Sequence, residues 1–174
     1  KLTAFKVRPK GAAFEMFDER TIPGCSSNTG LAFGPDGALY VTDWMNGPSD
    51  RGRVWKIDDP KASNSPVRKR VREILAAGMK KQTIDDLSEF LRSDDLRIRK
   101  TAQFELVRRG NMGEAALLAA CGQKEHRIRR LHGIWGLGQV ARGWPDKAKG
   151  DPDAVEPLVE LLSDKDEEVR AQAA

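Results

Sequence analysis

The run Leu31–Ile57, LAFGPDGALYVTDWMNGPSDRGRVWKI, constrains this chain more than any other stretch. At its centre Gly34-Pro35-Asp36-Gly37 is a tight-turn sequence. Proline presets φ at the second turn position and glycine tolerates the last one. Thr29–Phe33 precedes the turn. Ala38–Thr42 follows it, with Leu39 and Val41 on one face and Tyr40 and Thr42 on the other. Two such runs about a tight turn predict an antiparallel hairpin. A loop, Asp43–Gly52, carries Gly47, Pro48 and Gly52 and leads to a third strand, Arg53–Ile57, with Val54 and Trp55 on opposite faces. Upstream, Phe5–Val7 and Phe14–Phe17 are short extended candidates punctuated by Pro9 and Gly11. Three or four short antiparallel strands around such a hairpin are the pattern of a β-propeller blade. A lone blade can neither close a sheet nor bury both faces, so missing blades are expected upstream.

Beyond Ile57 the chain reads as helices. Asp58-Asp59-Pro60 ends the β unit, and Lys61–Pro66 is a polar linker. Val67, Val71, Ile74 and Leu75 then recur at helical spacing up to Gly78, a helix stop. Arg68, Lys69, Arg70 and Arg72 occupy the other face. An anion-binding strip is one account of them. A solvated helix face is the simpler one, because no aromatic or glycine-rich segment accompanies the charges.

Residues 83–174 repeat internally. Asp95-Leu-Arg-Ile98-Arg99, Glu125-His-Arg-Ile128-Arg129 and Asp166-Glu-Glu-Val169-Arg170 align, each opening on an acid that suits a helix N-terminus. Short helices precede them at Ile84–Leu91, Glu114–Cys121 and Ala154–Leu162. Asp153 and Glu156 form a capping-box-like pair before the stripe Leu158, Leu161 and Leu162, with Pro157 in the first turn. Ile98 to Ile128 is 30 residues and Ile128 to Val169 is 41, a difference that the loop Gly143–Pro152 largely accounts for. Stacked helix pairs of this kind predict a HEAT-like α-solenoid of about two and a half units. Leu131–Gly138, LHGIWGLG, places three glycines in a helix, each costing about 1 kcal/mol against alanine. That cost is offset if another element packs closely there, with Trp135 as a core anchor.

The 174 residues suffice for one or two domains, and the net charge of +4 is too mild to demand a nucleic acid partner. No apolar run approaches the roughly 20 residues that span a bilayer. Cys25 and Cys121 form no metal or redox spacing and are expected to be separate thiols. There is no GxSxG, P-loop or dinucleotide fingerprint, and no CxxCH for haem. His126 and His132 are about 240° apart around a helix and cannot share a metal. Asp43, Asn46 and Asp50 could offer oxygens to a cation, but their spacing is not that of an EF-hand loop. Both ends of the sequence read as cuts, with Ala174 falling inside a helical pattern.

GPDGALYVTDW at Gly34–Trp44, followed by GRVWKI at Gly52–Ile57, resembles the closing blade of NHL/sugar-dehydrogenase-like propellers. It is most similar to the membrane-bound dehydrogenases of planctomycete-type bacteria, in which the propeller is followed by HEAT repeats. Pro9–Glu15 and LHGIWGLGQ resemble the same family. The resemblance implies a closing blade over 1–58, a linker and connecting helix over 59–82, and HEAT-like repeats over 83–174. It implies a periplasmic or extracytoplasmic location. It also implies a parent that oxidises a sugar or alcohol with pyrroloquinoline quinone and calcium, near which Asp43, Trp44 and Arg53 would lie. This part would then be propeller closure and scaffold, binding a protein partner through the helical face. The alternative is a non-catalytic propeller–HEAT module that binds protein or glycan. Nucleic acid is not an expected partner.

Overall fold

The structure is a computed structural model that describes residues 2–10, 13–22, 28–44, 51–145 and 150–174. Gly11, Cys25, Asn46, Gly47, Pro48 and Asp50 lie outside the described residues. The chain divides into two compact units, Lys1–Arg72 and Glu73–Ala174.

Among the described residues, the first unit holds five strands in two separate antiparallel sheets. Strands β1 (Leu2–Lys10) and β2 (Ala13–Ile22) form a long hairpin, Leu2 opposite Ile22 and Lys10 opposite Ala13. Strands β3 (Asn28–Phe33), β4 (Leu39–Asp43) and β5 (Arg53–Ile57) form a meander in that order. The Gly34–Gly37 turn joins β3 to β4 as its residue types dictate. Gly37 N–H donates to the Gly34 carbonyl at 2.9 Å, and Gly37 takes φ +76°. Val41 sits at the centre of a small core with Leu2, flanked by Ile22, Leu39, Trp55 and Ile57. The alternation read along Leu39–Thr42 therefore sets the sheet's buried face.

The expected propeller closing blade followed by a HEAT-like solenoid is overturned. A blade is one four-stranded sheet, whereas here the five strands are split two and three, and neither sheet closes. The reason is physical: a turn-bounded alternation specifies which residues pair across a hairpin, not which sheet the hairpin joins. β1 and β2 are longer than the runs at Phe5–Val7 and Phe14–Phe17, and satisfy each other's backbone. The chain is a small mixed α/β fold with two open sheets and seven helices among the described residues.

Helix α1 (Pro66–Ala77) spans the boundary between the units and ends at Gly78, which has φ +70°. The second unit continues with α2 (Ile84–Phe90), α3 (Leu96–Arg108), α4 (Asn111–Cys121) and α5 (Arg127–Ala141). It closes with α6 (Pro152–Ser163), wound as a tighter 3-10 helix, and α7 (Glu167–Ala173). Consecutive helices pack as neighbours, α2 on α3, α4 on α5 and α6 on α7, and α3 and α6 also pack on α5. Leu87, Leu91, Ile98, Leu106, Leu117, Leu137 and Val169 are fully buried.

The helix starts follow local chemistry. Thr83 and Asp86 form a reciprocal capping box on α2. The Asp95 and Asp166 carboxylates cap α3 and α7 by accepting from Arg97 N and Glu168 N. Asp151, not Asp153, caps α6. The cap position of α5 is His126 rather than Glu125, one residue later than the repeat alignment places it. Ile128 is accordingly 49% exposed, while Ile98 and Val169 are buried. Counted from the caps, Arg130 rather than Arg129 stands where Arg99 and Arg170 stand.

Candidate functional site

The resemblance places Asp43, Trp44 and Arg53 near a cofactor. In the structure Asp43 ends β4 directly across from Arg53 on β5. Asp43 is 3% exposed, and its carboxylate accepts from Trp55 Nε1 at 2.9 Å. The Arg53 guanidinium lies 5.1 Å from the centre of the Trp55 ring. Trp44, 66% exposed, stands beside this corner on the outgoing chain. Asp43 and Arg53 are thus brought together, and both are engaged by Trp55. Calcium takes six to eight oxygen ligands. No group of three or more His, Cys, Asp or Glu could hold a metal among the described residues. The three residues by themselves do not fit a calcium–quinone cradle.

A second cluster, which sequence reasoning missed, surrounds the Gly34–Gly37 turn. The Asp36 carboxylate accepts from Ala38 N at 3.1 Å and Tyr40 Oη at 3.0 Å, and pairs with Lys56 Nζ at 2.8 Å. Lys56 above all holds the Asp36 carboxyl down at about 2. Arg68 from α1 donates to the Asp36 backbone carbonyl and pairs with Asp58 at 2.7 Å. A cleft of about 200 Å³ opens here, with Lys69 and Arg72 on its wall. Its acids are committed to Lys56 and Arg68, so the cluster reads as the brace between the turn and the start of α1.

The third feature lies in the second unit and is apolar. A groove of about 570 Å³ runs between the end of α1, the Gly78–Lys81 segment and α3. Leu75, Ala77, Met79 and Phe104 are apolar residues of its wall, and Lys80, Lys81 and Arg108 also line it. Phe104 is held by Trp144, ring centres 4.6 Å apart, and Lys100 Nζ lies 5.6 Å from the Phe104 ring centre. The Arg108 guanidinium sits 5.1 Å from the Trp144 ring centre.

One side chain organises the segment that forms the edge. Arg109, at the end of α3, donates from Nη2 to the Lys80 carbonyl at 2.8 Å and the Gln82 carbonyl at 3.2 Å. Its Nε donates to Glu105 Oε1 at 2.7 Å, with Glu105 buried. Among the described residues, the one acid lining the groove is therefore paired with an arginine that also fixes the loop. The local sequence announces little of this. The i, i+4 spacing of Glu105 and Arg109 is its one legible sign.

No family model, curated protein or solved structure matches this chain. No helix among the described residues is long and apolar enough to cross a membrane.

Proposed function

We propose that this chain is an interaction module whose helical unit docks a protein partner in the groove between α1 and α3. The observation that supports this is the groove wall. Leu75, Ala77, Met79 and Phe104 offer a concave apolar surface that opens to solvent between charged side chains. A recess of that kind suits a partner's apolar side chains better than a polar small molecule.

The test is selection from a displayed random-peptide library against the whole chain, with Ala77→Arg as the counter-target. Ala77 is exposed at the end of α1, so arginine there blocks the groove without entering a core. Peptides enriched on the native chain and lost on the variant are expected. If no peptide distinguishes the native chain from an equally stable variant, the reading is wrong.

A further inference from the structure

We infer that the groove takes an acidic amphipathic peptide segment, its apolar side chains seated against Met79 and Phe104 and its Asp or Glu side chains over Lys80, Lys81 and Arg108. The inference rests on the interaction-module reading and adds the chemistry of the partner. Its basis is charge complementarity. Every charge on the groove's edge that is not already matched is positive. Lys80, Lys81 and Arg108 have no ion pair among the described residues, whereas Glu105 is paired with Arg109. A basic segment would meet three like charges and, among the described lining residues, no unpaired acid to answer it. A wholly polar anion would leave the apolar wall unused.

The edge is also prearranged. Arg109 holds the backbone that carries Lys80 and Lys81, and stacking on Trp144 holds Arg108. Less freedom is lost when a partner binds charges whose backbone, or in Arg108 whose guanidinium, is already held. The apolar contacts would supply most of the affinity, and the three cations the selection of partner and a dependence on salt.

The test uses a fluorescein-labelled peptide of about twelve residues, with Leu and Phe at i, i+3 and i+4 and Asp or Glu elsewhere. Its twin carries lysine at every acidic position. Fluorescence anisotropy with the whole chain reads both. The acidic peptide is expected to bind at least about tenfold tighter than its twin, and more weakly as salt is raised. It should lose about tenfold in affinity on Lys80→Glu with Lys81→Glu and Arg108→Glu, and on Ala77→Arg. Should the triple variant fail to fold, Lys80→Glu with Lys81→Glu alone gives the same comparison.

Equal or tighter binding by the lysine twin overturns the inference. If that binding is lost on Ala77→Arg, the interaction-module reading stands without it. Concentration-dependent dimers that Ala77→Arg abolishes, with neither peptide bound, assign the groove to a second copy of this chain and overturn the inference as well. Binding by neither peptide, together with an empty library selection, removes both.

Discussion

Arg99 on α3 donates its Nε hydrogen to Nε2 of His132 on α5, 3.2 Å away. That bond decides the histidine's tautomer. Nε2 must accept, so Nδ1 carries the proton and donates to Gln103 Oε1 at 2.7 Å. Gln103 Nε2 in turn donates to Gln139 Oε1 at 2.8 Å. The chain of bonds links α3 to α5 through buried groups, and it works only while the imidazole is neutral. Burial first, and the Arg99 charge second, push the His132 pKa down to about 4.

The pH dependence follows. A histidine whose folded pKa lies below its unfolded value of about 6.5 favours the folded state fully above 6.5. That contribution is lost as pH falls from about 6.5 to about 4. The expected loss is about 2–3 kcal/mol over that window. Urea unfolding at a series of pH values measures it, and His132→Gln should flatten the slope between pH 4 and 6.5 while lowering stability at neutral pH. An unchanged slope in the variant would rule the account out. Asp36 and Asp164 are held at about 2, so their contribution is lost mostly below this window, between the unfolded value of about 3.9 and about 2.

Gly37 carries two constraints at once. Its φ of +76° is in the left-handed region, and a Cβ there would stand 2.6 Å from Arg68 Nε. Gly37→Ala therefore strains the turn by about 1–2 kcal/mol and pushes Arg68 off the Asp36 carbonyl. Gly37→Asn should cost less in backbone strain but keep the clash. Equilibrium unfolding of both variants, beside Arg68→Ala, separates the two effects. If Gly37→Ala is neutral, the brace between the turn and α1 does not exist in solution.

What could be read from the sequence was local. Pro35 and Gly37 specify a turn whatever surrounds them, and the hairpin across it forms. Asp95 and Asp166 cap helices because their side chains reach backbone a few residues away. The misreadings come where the answer depends on distant partners. Which sheet β1 and β2 join is set by pairing along their full length, and the propeller expectation failed on that. The α5 repeat slipped by one residue because Ile128-Arg129 matches the Ile-Arg template in sequence, whereas the helix cap falls at His126 and puts Arg130 at the equivalent place. Trp135, expected in the core, is 38% exposed and donates to Gln172 Oε1. Of the resemblance-derived candidates, Asp43 and Arg53 do meet, as strand ends must across a register pair. The groove was invisible because Arg109 builds its edge from a loop nearly thirty residues upstream.

Among the described residues, Arg130 is the most buried of the ion-paired cations in the second unit, its side chain 6% exposed. Nε donates to the Cys121 carbonyl at 2.9 Å, and both terminal nitrogens reach the Asp164 carboxylate. It ties α4, α5 and the α6–α7 connection together, and it holds the Asp164 carboxyl down at about 2. Arg127 makes a comparable pair with Asp166, but at the surface. Arg130→Ala is therefore expected to lower the melting temperature clearly more than Arg127→Ala. Exposed pairs are worth little, and removing one partner of a buried pair leaves the other unmatched. Asp164 favours the folded state above its unfolded pKa, and that contribution is lost as pH falls toward 2. Differential scanning calorimetry of the two variants supplies the ranking, and equal losses would contradict it.

Gly133 and Gly136 explain why α5 tolerates glycines that cost helix stability. A Cβ on Gly133 would lie 2.7 Å from the Leu117 carbonyl oxygen and 2.8 Å from Cys121 Sγ, and one on Gly136 would lie 2.5 Å from Leu117 Cδ2. These positions let α4 and α5 approach, and Gly138, with only the Arg142 side chain near it, does not share the constraint. Gly133→Ala should destabilise by about 1–3 kcal/mol through overpacking, despite alanine's higher helix propensity. Gly138→Ala should be neutral or mildly stabilising. Cys121 reports the same contact. It is buried, and burial raises its thiol pKa to about 11, so in a Cys25→Ser background it should resist a thiol reagent at pH 8. Gly133→Ala, by forcing the helices apart, should make Cys121 label measurably faster under the same native conditions. Slow labelling in both proteins, with equal unfolding free energies, would mean that α4 and α5 do not need the glycine to meet.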